Sequence, residues 1–512
     1  SVVVVEFNGY KLEPGADLRG AELDYVLASG EDLSGANLQG ARLRHATLRG
    51  ASLQGARLDQ ADLSRADARS ANFGGAYLRH ADLTQASLSE ATLTGAHLSE
   101  ADLTDANLNG AILDRVSLVK AVLTRAHLFG ARLHGANLME ATLEGANLTR
   151  AELNSVILYR ANLTEANLTE ANLNGSSLEE AVMVGANLER AHFHRAMLKG
   201  ATLTRAKLSG AHLHGTDLTE ANLSEANLTG AFMAGTNLVR ANLTGVEMTG
   251  ANLRAANLAR ANLQSSRCDD ARFIGAHLEE AILSDSSLEG CDFTRACLKR
   301  TKLSGTRLTG AIFNQADLVS ADLQGCDLRR ANFKQALLRN TTLIGADLTK
   351  AKFDRAHLKY ADLTRANLES ARLKDASLRE VNMTDAVLRW ADMQGAKCSK
   401  STFKNSDFSN ASLLGAVFSH ANLVGADLTR AKLIGTNLLG ANVEHATFQE
   451  ASLVDVKLRG ACVVGVDLTG AKLINLDLRD SNLTDAILAG AICVDVLFPD
   501  DFDPVAAGVI FE

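Results

Sequence analysis

The sequence predicts an all-β solenoid, built from short extended pieces joined by turns. Three observations carry that prediction. Leucine or another apolar side chain recurs every five residues from Leu18 to Phe498, 97 consecutive positions without insertion or deletion. Of the 40 glycines, 37 fall at positions whose number ends in 0 or 5. The first seven phenylalanines in the five-residue series are Phe73, Phe193, Phe273, Phe293, Phe313, Phe333 and Phe353, and every pair differs by a multiple of twenty.

A period of five fits neither an α-helix nor a long flat strand. It does fit a short extended piece followed by a turn. The recurring centre is Leu in 73 cases, Phe in 12, Met in five, Cys in three, and Val and Ala in two each. Two residues earlier the side chain is small, Ala in 73 of the 97 units. Residues two apart on an extended backbone share a face, so both point inward. The residue between them, commonly Asp or Asn, points outward. Glycine closes the unit where a type II turn requires positive φ. Proline occurs only at Pro14, Pro499 and Pro504, because a stacked coil needs its backbone N–H groups for its neighbours. The phenylalanine spacing then makes one coil four pentapeptides, or twenty residues, with a square section. Five consecutive members, Phe273 to Phe353, predict an aromatic stack at about the 4.8 Å strand spacing. The later Phe403, Phe408, Phe418 and Phe448 lie in other columns.

Along the chain, 1–15 is expected to form an N-terminal cap, with SVVVVEFNGYKL (1–12) as its apolar part. Residues 16–498 form one continuous repeat domain. Within it VLASGED (26–32) puts Ala28 at a centre and Glu31 at an inward position, which predicts a bulge or loop. Residues 499–512 are expected to cap the other end, with Val509, Ile510 and Phe511 as apolar contacts.

The run ANLTEANLTEANLNG (161–175) shows the repeat bare. With A(D/N)LXX over about 95% of its length, the chain resembles the bacterial pentapeptide-repeat family. The resemblance implies a right-handed quadrilateral β-helix of about 24 coils, a rod of about 115 Å at the strand spacing. Leu, Phe and Ala would fill its core, leaving no lumen.

Function classes narrow accordingly. The seven cysteines are scattered with no CxxC pair, against a disulfide framework or zinc site. No run reaches the roughly 18 apolar residues of a membrane span, and the N-terminal stretch lacks the basic flank of a secretory signal. A reduced, cytoplasmic protein with no membrane partner is expected. No nucleophile–base pair, phosphate loop or metal motif stands out, so no enzyme and no cofactor are expected.

His192, His194, His212 and His214 flank two centres one coil apart, with His134 in the column of His194 and His214. They form an outward patch and are only a weak metal candidate, since Arg195, Lys199, Arg205 and Lys207 surround them. Formal charge is −8, made of −7 over 1–250, +6 over 251–400 and −7 over 401–512. Glu100, Lys120, Glu140, Arg160, Glu180, Glu220 and Arg240 occupy one corner column, where neighbours of opposite sign would pair for a few tenths of a kcal/mol each.

Two interaction candidates remain. One is an acidic belt of Glu165, Glu170, Glu179, Glu180 and Glu189. The other is the basic segment 295–404, led by Arg329, Arg330, Lys334 and Arg339, a candidate for nucleic acid, an acidic protein or a membrane surface. Tyr360 and Trp390 are the only large outward aromatics nearby, which makes direct nucleic-acid binding a poor match. The sequence therefore predicts a rod-shaped protein-interaction scaffold of unknown partner, as a monomer or a C-terminal end-to-end dimer. The family resemblance adds an alternative. Some members mimic DNA, bind type II topoisomerases such as DNA gyrase, and protect them from quinolones. The charge argues against mimicry over the full length, and residues 1–250 are the stretch taken as its candidate.

Overall fold

The computed structural model describes residues 5–512. By its internal contacts the chain divides into two compact units, Ser1–Asn257 and Leu258–Glu512. Both are built from the same pentapeptide, and the register is constant. Residue i bridges residue i+20 in parallel, as in Asp17↔Asn37 and Asn162↔Val182 of the first unit and Asn262↔Ile282 of the second.

The pentapeptide 161–165 shows why this chain closes on itself. The Leu163 N–H donates to the Val182 carbonyl at 2.7 Å, and the Glu165 N–H to Val184 at 2.9 Å, both one coil on. The Asn162 N–H donates to Ala141 at 2.9 Å, one coil back. The Ala161 N–H closes the preceding turn on Leu158 at 3.0 Å. The fifth, on Thr164, donates to the side-chain oxygen of Asn162 at 3.0 Å. Every backbone donor of the unit thus has a partner, as burial in a stack requires. The third turn residue has positive φ at every position ending in 0 or 5 from 15 to 495 except Asp480. Glycine supplies some of these, but Arg, Glu, Asp and Lys supply many others.

Nearly all the centres and the small residues two before them are buried, and the seven phenylalanine centres from Phe73 to Phe353 are fully enclosed. In the second unit Phe273, Phe293, Phe313, Phe333 and Phe353 stack with centroids 4.7–5.0 Å apart and planes within 9°. At coil 401–420 the aromatic packing turns. Phe403, Phe408 and Phe418 enter from three walls and meet at 5.3–6.1 Å with planes 59–82° apart.

Most buried Ser, Thr and Cys at the small inward position are satisfied by one device. The Thr216 hydroxyl donates to the Phe193 carbonyl at 2.8 Å, and Thr301 to Leu278 at 2.9 Å. Cys291 and Cys326 donate in the same way to Cys268 and Leu303. Burial pushes the Cys326 thiol up to about 12, so it serves packing, and all seven cysteines are free.

Three expectations need correction. Residues 26–32 form no bulge. Leu27 bridges Thr47, Asp32 bridges Ser52, and Ala28 is buried at its centre. The turn tolerates the substitutions because Glu31 remains partly exposed. At the C-terminus, Ile510 and Phe511 are more than half exposed, so they are not apolar contacts. Attachment runs through the backbone and a different aromatic pair. The Ile510 N–H donates to Ala491 at 2.8 Å, and Phe502 stacks on Phe498 at 5.5 Å. Finally, the core is not solid throughout. A small apolar cavity lies among Val443, Phe448, Leu458, Val463 and Leu483, where two of the facing centres are Val rather than Leu.

Few pieces are long enough to count as strands. At the N-terminus β1 (Val5–Phe7) and β2 (Tyr10–Leu12) form an antiparallel hairpin. Asn8 and Gly9 form its turn with φ of 51° and 82°, the pairing of a type I′ turn. Asn8 Nδ2 donates to the Glu22 carbonyl at 3.0 Å. Val2, Val3 and Val4, part of the expected cap, lie outside the described residues. Near the C-terminus β3 (Ser452–Val454), β4 (Lys472–Asp477), β5 (Ile492–Leu497) and β6 (Ile510–Phe511) make a parallel sheet in that order.

Candidate functional site

Outward side chains lie in columns, one per coil, and the candidates follow from which columns carry what. In the first unit His192 bridges His212, and His212 bridges Phe232. Their rings stack, His192 on His212 at 4.5 Å and His212 on Phe232 at 4.8 Å. His214 stands 6.2 Å from the His212 ring. His194 is turned away to the backbone, with Nδ1 3.2 Å from the His214 carbonyl oxygen. The four histidines are thus neighbours, but they do not converge on a point. Among the described residues, no group of three or more His, Cys, Asp or Glu is placed to hold a metal ion. Burial, and then His192 and His214 beside it, hold the His212 pKa below its ordinary value. His134 lies in the His194/His214 column, its N–H donating to Asp114 at 3.2 Å.

Phe232 was missed as a candidate from sequence, although its place twenty residues after His212 was the signal. It is 41% exposed. Beside this ladder runs a charged column, with Glu170 held by Arg150 at 2.8 Å and by Arg190 at 3.8 Å. Arg150, then Arg190, holds the Glu170 carboxyl below its usual range. The column then loses its side chain at Gly210, and a shallow depression opens beside His212 and Phe232.

The acidic belt is less free than its composition implies. Glu170 is taken by two arginines, and Glu180 pairs with Arg160 at 2.7 Å. Glu179 accepts from the Ser177 hydroxyl, whereas the Glu189 carboxylate forms no ion pair among the described residues. Glu165 forms no ion pair among the described residues. The same corner column pairs Lys120 with Glu140 at 3.6 Å and Arg240 with Glu220 at 3.1 Å.

In the second unit the basic candidates divide. Arg329 is committed to Asp327 at 2.6 Å, which holds its pKa above the ordinary arginine value. Arg339 lies over the Tyr360 ring, 5.8 Å from its centroid, with Lys359 at 4.5 Å on the same ring. Arg330 and Lys334 have no ion-pair partner among the described residues. Arg330 and Lys350 share an open groove with Thr309, Arg329 and Thr349.

The comparison with known families accords with this geometry. The family described as pentapeptide repeats (8 copies) matches in overlapping segments from 15–50 through 426–463, and again over 464–492. The chain belongs to the pentapeptide-repeat family. Members of that family fold as right-handed quadrilateral β-helices, and the twenty-residue register of each unit is four pentapeptides to a coil. No curated protein matches the chain in sequence.

Similar solved structures include HetL, a pentapeptide repeat protein involved in heterocyst differentiation regulation from the cyanobacterium Nostoc. It is 27% identical over 52% of this chain and 91% of its own, with a TM-score of 0.16. Full-length QnrB1, a plasmid-mediated fluoroquinolone resistance protein, is 20% identical over 43% of this chain and 92% of its own, with a TM-score of 0.20. A pentapeptide repeat protein from the Arabidopsis thaliana thylakoid lumen is 24% identical over 19% of this chain and 67% of its own, with a TM-score of 0.15. Superpositions at such scores carry no functional argument for this pentapeptide-repeat chain.

Proposed function

We propose that this chain is a non-enzymatic scaffold that docks a protein partner through its outward side chains. The single observation that carries this reading is the His192–His212–Phe232 ladder. Three stacked rings present their edges beside the Gly210 depression, rimmed by Arg150, Glu170 and Arg190. Aromatic side chains next to a charged rim are the composition of a protein-docking centre. Among the described residues, the remaining reactive side chains are spread over the walls and do not converge as a catalytic site demands.

A crosslinking side chain placed at position 234, next to the ladder, is expected to capture one protein from the source cell. Phe232→Ala in the same chain should reduce that product at least tenfold, as loss of a central aromatic anchor would. A crosslinker at position 284, on the second unit, should capture none of it. Equal capture with and without the Phe232 ring would overturn the reading.

Mimicry of DNA toward a gyrase-type topoisomerase gains no comparable observation. A duplex presents a phosphate about every 1.7 Å of its axis, whereas Glu170 and Glu180 of the belt are neutralised by Arg150, Arg160 and Arg190. Purified protein is expected to leave gyrase supercoiling unchanged, with or without a quinolone.

A further inference from the structure

Charge in this protein is commonly settled one coil away. Arg150–Glu170, Arg160–Glu180, Arg260–Glu280 and Arg430–Glu450 each pair a cation with the carboxylate twenty residues on. Three successive coils on one wall of the Leu258–Glu512 unit depart from that habit. Arg330, Lys334, Lys350, Lys352, Arg355 and Lys374 lie on three successive coils, all exposed, and none forms an ion pair among the described residues. The wall holds two carboxylates on those coils. Asp354 is bound by Arg372, and Asp375 is the other. Arg330 and Lys350 even stand in one corner column, about 5 Å apart at the backbone. Like charges directly opposite one another weaken a sheet, and a Glu at either position would have reversed the sign of that contact.

Farther along, the same wall carries an apolar column, beside Arg430 paired with Glu450 and the exposed carboxylates of Asp455 and Asp495. Leu414, Ile434, Val454, Ile474 and Val494 occupy one outward column. The Gly415 and Gly435 N–H groups donate to the Ile434 and Val454 carbonyls at 2.8 Å, and Val454, Ile474 and Val494 are paired in register across β3, β4 and β5. Beside them, in the column of Lys352, stand Lys432 and Lys472, whose long stems can lie along apolar surface with the ammonium outward. Trp390, the only tryptophan of the chain, occupies the corner column of Arg330 and Lys350 and is 61% exposed. It lies three coils beyond Arg330, about 14 Å at strand spacing.

We propose that this wall of the second unit lies on the surface of an anionic lipid bilayer. The cations would meet lipid phosphates, and the aliphatic column and Trp390 would enter the headgroup level, where indole rings collect. The wall is flat, as a bilayer surface is. A nucleic-acid duplex also offers phosphates, but its convex surface would touch a flat wall along a narrow strip and leave the aliphatic column unpartnered. Among the described residues, no helix is long and apolar enough to cross a membrane, so the attachment is peripheral. It goes beyond the scaffold reading and does not depend on it.

The test is sedimentation of the full chain with vesicles of phosphatidylcholine, alone or mixed with phosphatidylglycerol. Binding is expected only to the mixed vesicles, weakened by salt, with a blue shift of Trp390 emission. Each Lys or Arg near an anionic surface contributes about fivefold in binding, so Arg330→Gln with Lys350→Gln lowers it about 25-fold. Lys334→Gln with Lys374→Gln, elsewhere on the same wall, does the same if the first variant is unstable. Arg205→Gln with Lys207→Gln on the first unit leaves binding intact. Equal sedimentation with both vesicle types, none with either, or undiminished binding by both charge variants overturns the proposal. So does binding to a DNA duplex in place of vesicles, with Trp390 emission unshifted.

Discussion

The side-chain oxygen of Asn162 holds both the N–H of Thr164, at 3.0 Å, and its hydroxyl, at 2.6 Å. The same clasp recurs with Asp, as in Asp347 with Thr349 and Asp427 with Thr429. It supplies an acceptor for the one backbone donor that neither the coil above nor the coil below can reach. That is the physical reason for Asp or Asn before each centre and for frequent Thr after it.

Asn162→Ala is therefore expected to destabilise the chain by about 1 kcal/mol, the worth of one hydrogen bond with its cap-like geometry. Asn162→Asp should be near neutral, since a carboxylate accepts the same two bonds. Paired denaturation curves for the two variants check this. An alanine variant as stable as the aspartate variant would refute the account.

This clasp was legible in the sequence and went unread. Asp or Asn with its own backbone N–H two residues on is the signature of an Asx turn, yet outward position alone was assigned to it. The Asn8–Gly9 dipeptide between Phe7 and Tyr10 was likewise a hairpin signal. What periodicity did reveal was the register, because Phe273 to Phe353 can stack only if one coil is twenty residues. The positive φ at Arg, Glu and Asp could not be read from glycine phase, since the stack imposes it whatever the side chain. Nor could the His212–Phe232 contact be reached by looking for metal ligands. The ring that completes the ladder is not a ligand type.

Ala255 isolates the strain of the turn. Its φ is +54°, it is exposed, and a methyl group offers the turn no compensating bond. A left-handed residue with a Cβ costs about 1–2 kcal/mol relative to glycine there. Ala255→Gly should raise the melting temperature by the equivalent of about 1 kcal/mol, after the greater flexibility of glycine in the unfolded chain is subtracted. A lower melting temperature would mean that the turn bears no such strain.

The cavity in the second unit gives a packing test. Val443 and Val463 face it from one column, where most centres elsewhere are Leu. Val463→Leu adds a methylene to an apolar void and should stabilise by about 1 kcal/mol, the range measured for one buried methylene. Leu458→Ala should enlarge the void and cost about 2–5 kcal/mol. If Val463→Leu instead destabilised, the walls would be too rigid to admit the added group.

His212 supplies a pH test of the ladder. Burial, then the charges of His192 and His214, hold its pKa below the ordinary 6.5. The unfolded chain therefore binds this proton more readily than the folded one. The linked stability is fully present above pH 6.5 and declines as pH falls toward and through the lowered value. Phe232→Ala exposes the imidazole and removes part of the first cause, so His212 should titrate closer to 6.5 when followed by the NMR shift of its ring protons. His192→Ala removes the next cause and should move it the same way. An unchanged His212 titration in Phe232→Ala would show that the phenyl ring does not shield the imidazole, and that the stacked ladder does not persist in solution.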